Sequence, residues 1–205
     1  AVLTGHSMGA YVAALAASRR DFARVVLVDG GLPLPLPDGV GPDDALAATL
    51  GPAMDRLSRT FATPEEYVAF FRAHPAFAGR WTDDVEAYVR YDLTGPPGAL
   101  RSRVAVEAVR EDGRWLLAEH DRIGHALESI KAPLSLLRAP RGLLDQGVGM
   151  LPDELAAPWT ARLAGLADEV VADCNHYTIL FADHCTSLLA DRLTSEPRER
   201  PSSVA

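Results

Sequence analysis

The sequence predicts an α/β protein in which a mostly parallel sheet is flanked by helices and interrupted by an inserted helical cap. Three apolar runs, at 1–4, 24–29 and 134–138, have the composition of buried strands. Small-residue and amphipathic stretches typical of helices follow them. Residues 41–130, between the second and third runs, show mostly helical patterns. A strand–helix–strand core that is interrupted and then resumes is the layout of a capped α/β domain.

Composition narrows the classes of partner. The chain has 205 residues, a formal net charge of −8, 48 % apolar residues and a single lysine, Lys131. Its arginines are dispersed, so nucleic acid is not an expected partner. No apolar run is long enough to span a bilayer, so no membrane partner is expected. Two cysteines are too few for a disulfide framework, which favours a reduced, cytoplasmic protein.

Four segments are predicted. Residues 1–40 and 131–194 form the core, residues 41–130 form a helical cap or lid, and residues 195–205 form a flexible tail. The chain opens inside an apolar strand. An uncovered strand edge invites pairing with another chain, so self-association through this edge is expected.

The core elements follow in order. An alanine-rich helix is predicted from Met8 to Ser18, because small residues allow close packing on a sheet. Two strands are predicted next, at Arg24–Asp29 and Leu134–Arg138. A helix at about 154–166, a strand at Glu169–Ala172 and a final helix at Thr178–Leu193 complete the core.

Capping signals organise the predicted cap. Helical spacing from Asp43 to Arg59 is interrupted at Gly51-Pro52. Thr63 begins a capping box followed by proline, and Thr82 caps another helix. Further helices are predicted at 101–110 and 115–130, separated by a turn at Asp112-Gly113.

The pentapeptide Gly5-His6-Ser7-Met8-Gly9 lies between the first strand and the first helix. This context predicts a nucleophile elbow, in which the serine occupies a strained turn above the sheet. We expect a side chain at either glycine to collide with neighbouring backbone. The helix N-terminus behind the turn would face any negative charge that forms at the serine.

These residues resemble the α/β-hydrolase family, many of whose members carry the same Gly-His-Ser-Met-Gly. The resemblance implies a nucleophilic Ser7 and an oxyanion-hole donor at the backbone N–H of Met8. In the family, several strands precede the elbow, and a loop among them supplies a second donor. The sequence is therefore similar to the C-terminal two-thirds, roughly, of such an enzyme, truncated at its N-terminus.

Among six histidines, His176 is the candidate general base. It follows the last predicted strand and precedes the final helix. Loops at the carboxyl ends of parallel strands converge on one side of a sheet, which places His176 near Ser7. The alternative is a structural histidine that caps the helix.

Two carboxylates compete for the third position. Asp145, in Arg141-Gly142-Leu143-Leu144-Asp145, resembles the family's Gly-x-x-Asp after the equivalent strand, where it would orient His176. Asp29, at the end of the second strand, is the alternative acid. It is also explained as a turn residue before Gly30-Gly31.

The resemblance implies a serine hydrolase that cleaves an ester or related carbonyl bond of a small apolar substrate through an acyl-enzyme. No cofactor and no metal are expected. The cap aromatics would line an apolar substrate pocket unless they only form core; the candidates are Phe70, Phe71, Trp81 and Tyr88. The alternative function is a truncated, inactive hydrolase-like scaffold or binding module that lacks the N-terminal oxyanion-hole segment.

Overall fold

The computed structural model describes residues 1–194, except for the side chains of residues 52–55, and the predicted tail 195–205 lies outside this range. The strands are β1 (Val2–His6), β2 (Arg24–Val28), β3 (Leu93–Thr94), β4 (Arg101–Ser102), β5 (Leu134–Arg138) and β6 (Ala167–Val170). The helices are α1 (Met8–Ala17), α2 (Pro42–Leu57), α3 (Pro64–Arg72), α4 (Asp83–Tyr91), α5 (Val106–Ala118), α6 (His120–Ser129), α7 (Asp153–Arg162) and α8 (Asp183–Thr194). Short 3-10 turns occupy Pro75–Phe77 and Thr178–Leu180.

Four strands form a parallel sheet in the order β1-β2-β5-β6. The register pairs His6 with Val28 and Val28 with Leu137, so the carboxyl ends of β1, β2 and β5 lie side by side. This arrangement confirms the predicted mostly parallel sheet flanked by helices. It also brings the residues that follow these strands to one edge of the sheet, which is where ligands bind in open α/β folds.

Alternate residues of the central strands face two apolar cores. Val25 and Leu27 of β2 point to the side covered by α1, α6 and α7. Val26 and Val28 point to the side covered by α8. Because side chains alternate along a strand and both faces of β2 are covered, the strand reads as a continuous apolar run.

The inserted segment has its own core. Aromatic and valine side chains from α3, α4 and the adjoining turns pack in it, with Tyr67 and Phe71 in edge-to-face contact. Thr63 accepts a hydrogen bond from the backbone N–H of Glu66, and Thr82 accepts one from Val85, as the capping signals predict.

Helix α6 lies inside the segment predicted as cap, but it packs against α1 in the core that covers the sheet. Its residues Ile123 and Leu127 belong to the same apolar core as α1. As a division into domains, the boundaries at residues 40 and 130 stay predictions. Within residues 1–194, no helix is long and apolar enough to cross a bilayer.

Two predicted breaks are wrong. Helix α2 continues through Gly51, and the predicted turn at Asp112-Gly113 lies inside α5. At Gly113 the reason is packing between these two helices. A Cβ atom at Gly113 would lie 2.5 Å from the Cδ1 atom of Leu46, so the glycine allows α5 to approach α2 closely and does not form a turn. The predicted helix at 101–110 is also replaced, because β4 precedes α5.

Candidate active site

Ser7 occupies the strained turn that the sequence predicts between β1 and α1. Its φ and ψ are 53° and −122°, which is an uncommon conformation for a residue with a side chain. Its backbone N–H donates to the carbonyl of Val28 at 2.9 Å, which fixes the turn against β2. The turn thus places the Ser7 hydroxyl at the carboxyl edge of the sheet.

Two glycines make room for this turn, and one expected collision is absent. A Cβ atom at Gly5 would lie 2.0 Å from the carbonyl oxygen of Gly9. A Cβ atom at Gly30 would lie 2.4 Å from the carbonyl oxygen of Ser7. At Gly9 itself, a Cβ atom would meet no atom within 4 Å. The steric reason for glycine therefore applies at Gly5 and Gly30, and the collision predicted at Gly9 is wrong.

The imidazole of His176 bridges Ser7 and Asp29. Its Nε2 atom lies 3.0 Å from Ser7 Oγ, and its Nδ1 atom lies 2.7 Å from Asp29 Oδ2. The carboxylate is an acceptor, so Nδ1 carries the proton and Nε2 is left to accept from the Ser7 hydroxyl. The three side chains form one directed chain of hydrogen bonds.

Asp29 is held rigidly at the end of β2. Its side chain is fully buried, and its second carboxylate oxygen, Oδ1, accepts from the backbone N–H of Ala139 at 3.0 Å. Its own backbone N–H donates to the carbonyl of Leu137 at 2.7 Å. The residue has a φ of 43°, so the chain turns sharply at this point. These bonds to β5 and the following residue orient the carboxylate toward His176.

Asp145 does not contact His176, which corrects the preferred prediction for the acid. Its Oδ1 atom accepts from Asn175 Nδ2 at 2.7 Å and pairs with Arg141 at 2.8 Å and Arg80 at 3.6 Å. The physical reason is strand order. Asp29 directly follows β2, the strand paired with β1, whereas Asp145 lies on a loop several residues beyond β5.

Asn175 was missed by the sequence analysis and anchors the loop that carries His176. Its Nδ2 atom donates to Asp145 and to the carbonyl of Ala76 at 2.8 Å, while its Oδ1 atom accepts the backbone N–H groups of Tyr177 and Thr178. The amide is completely buried. An asparagine directly before the candidate histidine, at a strand-to-turn junction, is the sequence signal for such a turn.

His6 was also missed as a neighbour of His176. Its Nε2 atom donates to the backbone carbonyl of His176 at 2.8 Å, and the two rings lie 4.6 Å apart. Burial, and then the proximity of His176, lower the pKa of His6 to about 4. His6 is therefore neutral near pH 7 and tethers His176 without adding a second positive charge.

Met8 is the first residue of α1 and lies beside Ser7. The first backbone N–H groups of a helix have no partner within the helix, and they carry its positive dipole end. This placement fits the oxyanion-hole donor predicted at Met8. Within residues 1–194, no group of three or more histidine, cysteine or carboxylate side chains is arranged to hold a metal ion.

A cavity of about 260 Å³ opens beside Ser7 and His176. It lies between the elbow and the helices α2 and α5. Its walls are mainly aliphatic, with Tyr11 as the aromatic side chain among the described lining residues; the apolar part consists of Met8, Leu34, Leu46, Leu50, Val109, Leu116, Leu117, Met150 and Leu151. The cavity therefore suits an apolar group bound next to the Ser7 hydroxyl.

The cap aromatics predicted to bind substrate do not line this cavity. Phe71 is buried in the separate cap core, and Phe70 packs edge-to-face against it. Trp81 lies under the guanidinium of Arg72, and Tyr88 packs on Phe181. The prediction for Phe70, Phe71, Trp81 and Tyr88 is thus corrected, because the first three pack in the cap core and Tyr88 is exposed.

A family described as "Alpha/beta hydrolase family" matches residues 1–191. No curated protein matches the chain.

Solved structures share the fold. An E-2-(acetamidomethylene)succinate hydrolase and a thioesterase domain from the curacin biosynthetic pathway are each 20 % identical with TM-scores of 0.63, over 94 % of this chain. The peroxisomal alpha-beta-hydrolase Lpx1 from Saccharomyces cerevisiae is 14 % identical with a TM-score of 0.64, over the whole chain. The chain spans 65 %, 66 % and 57 % of these three proteins, respectively. At these identities the likeness shows the fold alone.

Proposed function

The chain belongs to the alpha/beta hydrolase family, and from this premise we propose that it is a serine hydrolase. The reaction is cleavage of an ester or related carbonyl bond in an apolar substrate through an acyl-enzyme. The observation that carries the proposal is the hydrogen-bonded line from Ser7 Oγ through His176 to Asp29, with distances of 3.0 and 2.7 Å. A nucleophile, a base and an orienting carboxylate in this order are the groups that acyl transfer needs.

In the first half-reaction, Ser7 Oγ attacks the substrate carbonyl carbon while its proton moves to Nε2 of His176. The carbonyl oxygen becomes an oxyanion, which the backbone N–H of Met8 at the start of α1 stabilises. The tetrahedral intermediate then collapses. His176 returns the proton to the leaving alcohol, whose bond to the carbonyl carbon breaks, and the acyl group stays on Ser7.

In the second half-reaction, a water molecule replaces the alcohol. His176 takes a proton from the water while the water oxygen attacks the acyl carbon. His176 then gives that proton to Ser7 Oγ as the bond between Oγ and the acyl carbon breaks. The products are a carboxylic acid and the free enzyme.

Two neighbours support the positive charge that His176 carries during turnover. The Asp29 carboxylate, buried and fixed by the Ala139 N–H, stabilises the imidazolium. His6 lies 4.6 Å from the same ring and, with its lowered pKa, contributes no opposing charge near neutral pH. Asp29 thus supplies the counter-charge to His176 during turnover, and His6 adds no charge of its own.

The test is active-site labelling with an alkyl fluorophosphonate, followed by mass spectrometry of the modified peptide. We expect one adduct per chain at Ser7, no adduct in Ser7→Ala and strongly reduced labelling in His176→Ala. The matched control is Ser58→Ala, an exposed serine outside the cavity, which should be labelled like the unchanged protein. A folded sample that does not react would contradict the proposal and favour a binding module.

A further inference from the structure

A second, outer groove of about 700 Å³ adjoins the cavity beside Ser7. The two spaces share four lining residues, which are Leu34, Thr49, Leu117 and Met150. Because the same side chains border both spaces, the inner cavity and the outer groove meet at this junction.

The walls of the outer groove are aliphatic on three sides. One side is α2, through Ala45 and Ala48. The segment after β2 supplies Pro35 and Val40, and α7 supplies Leu155. Such walls offer contact and exclusion of water to an apolar chain.

Charge at the groove restricts what the far end of that chain can be. The carboxylates of Asp44 and Glu154 border it. Among the described residues that line the two spaces, there is no lysine or arginine. A ligand that ended in a carboxylate would meet like charges and no counter-ion, which disfavours binding.

We propose that the outer groove binds the distal part of an unbranched aliphatic chain whose proximal part fills the inner cavity. The preferred substrates are then esters with a chain longer than the inner cavity holds and without a terminal carboxylate. Cleavage of the ester at Ser7 depends on the function proposed above, whereas binding of the aliphatic chain in the groove does not.

Burial of methylene groups sets the size of the effect. Complete removal of one methylene from water strengthens binding about fourfold. The groove is open on one side, so we expect about twofold for each methylene that lies in it. A side chain that fills the groove should remove this gain and leave the reaction at Ser7 in place.

The kinetic test compares the hydrolysis of p-nitrophenyl decanoate and butyrate. In Ala48→Trp the indole would fill the groove, and the decanoate-to-butyrate ratio of kcat/KM should fall by about tenfold. The matched control is Ala47→Trp, because Ala47 is an exposed neighbour on α2 that lines neither space. An equal ratio in the two variants, or a preference of the unchanged protein for butyrate, would overturn the proposal.

A binding test separates this proposal from the reaction. Calorimetry with Ser7→Ala and the series from 1-butanol to 1-decanol measures occupation without chemistry. We expect affinity to rise with chain length, to drop for 10-hydroxydecanoate, and to lose its length dependence when Ala48→Trp is added. If these results hold and no ester is cleaved, the hydrolase proposal fails alone; if esters are cleaved and affinity ignores length, the groove proposal fails alone.

Discussion

Asp29 Oδ2 lies 2.7 Å from Nδ1 of His176, although 147 residues separate them in the chain. The contact exists because β1, β2 and β5 end at the same edge of the sheet and the loop after β6 bends back over that edge. It selects the imidazole tautomer in which Nδ1 carries the proton and Nε2 can accept from the Ser7 hydroxyl. One carboxylate thereby fixes both the orientation and the proton position of the base.

This contact predicts unequal effects of two isosteric substitutions. Asp29→Asn should lower kcat on p-nitrophenyl butyrate by about 10⁴, because an amide in this position favours the wrong tautomer of the histidine. Asp145→Asn should change kcat by less than about tenfold, because this half-buried carboxylate pairs with arginines and Asn175. The reverse order would return the orienting role to Asp145. Circular dichroism of both variants checks that they are folded.

The glycines of the elbow should respond oppositely to alanine. Gly5→Ala places a Cβ atom 2.0 Å from backbone, so we expect a loss of about 3 kcal/mol or more in the free energy of unfolding. Gly9→Ala has open space inside α1 and should be neutral or stabilising by up to about 1 kcal/mol. Urea denaturation measures both values. Equal losses would show that the tight approach at Gly5 is relieved by movement.

The lowered pKa of His6 predicts a pH-dependent stability. Its pKa is about 4 in the folded protein and 6.5 in the unfolded chain, so between these values the unfolded chain binds the extra proton. The free energy of unfolding should therefore fall as the pH drops from 6.5 to 4, by up to about 3 kcal/mol from this residue, and this cost is absent above pH 6.5. Asp29 and His176 face His6 and act on the same equilibrium.

The measurement for His6 is urea denaturation of His6→Gln, which retains an N–H donor and does not titrate. Its loss of stability between pH 6.5 and 4 should be smaller than in the unchanged protein. His125→Gln, an exposed histidine on α6, is the matched control and should keep the full loss. Identical pH curves for His6→Gln and the unchanged protein would refute the role given to His6.

Cap aromatics and cavity residues should separate stability from substrate binding. Phe71→Ala removes a ring from the cap core and should cost about 3–5 kcal/mol of unfolding free energy, with KM of the folded fraction nearly unchanged. Leu50→Trp fills the cavity beside Ser7 and should lower kcat/KM for p-nitrophenyl butyrate by about tenfold. Urea denaturation measures the loss of stability in Phe71→Ala. Steady-state kinetics at 15 °C measures KM and kcat/KM of both variants. A large rise in KM for Phe71→Ala would place that ring at the substrate after all.

The sequence was sufficient where local pattern and sheet order agree. Short-range signals predict three features that the structure contains: the elbow at Ser7, the buried strand at Arg24–Val28 and the helix N-cap at Thr63. His176 could be found because it stands between a strand and a turn on the carboxyl side. Its meeting with Ser7 across 169 residues follows from the parallel arrangement.

Pattern failed where two segments distant in sequence decide the outcome. Asp29 and Asp145 both follow strands, and only the order β1-β2-β5 places Asp29 nearer to His176. The sequence predicts a turn at Gly113, whereas the structure shows that the glycine makes room for Leu46. The aromatic stripe of α3 reads equally as a pocket wall or a core, because a helical face does not specify what covers it.

The distribution of Ser7, Asp29 and His176 along the chain has a consequence for biosynthesis. Each is placed by a different segment of the same parallel sheet, and β2 pairs with β5 across more than a hundred residues. A ribosome-bound intermediate that has released β1, α1 and β2 contains the hydroxyl and the carboxylate but lacks the imidazole. The proposed reaction therefore needs the C-terminal segment, and titration with an irreversible phosphonate would count only molecules in which this segment has docked.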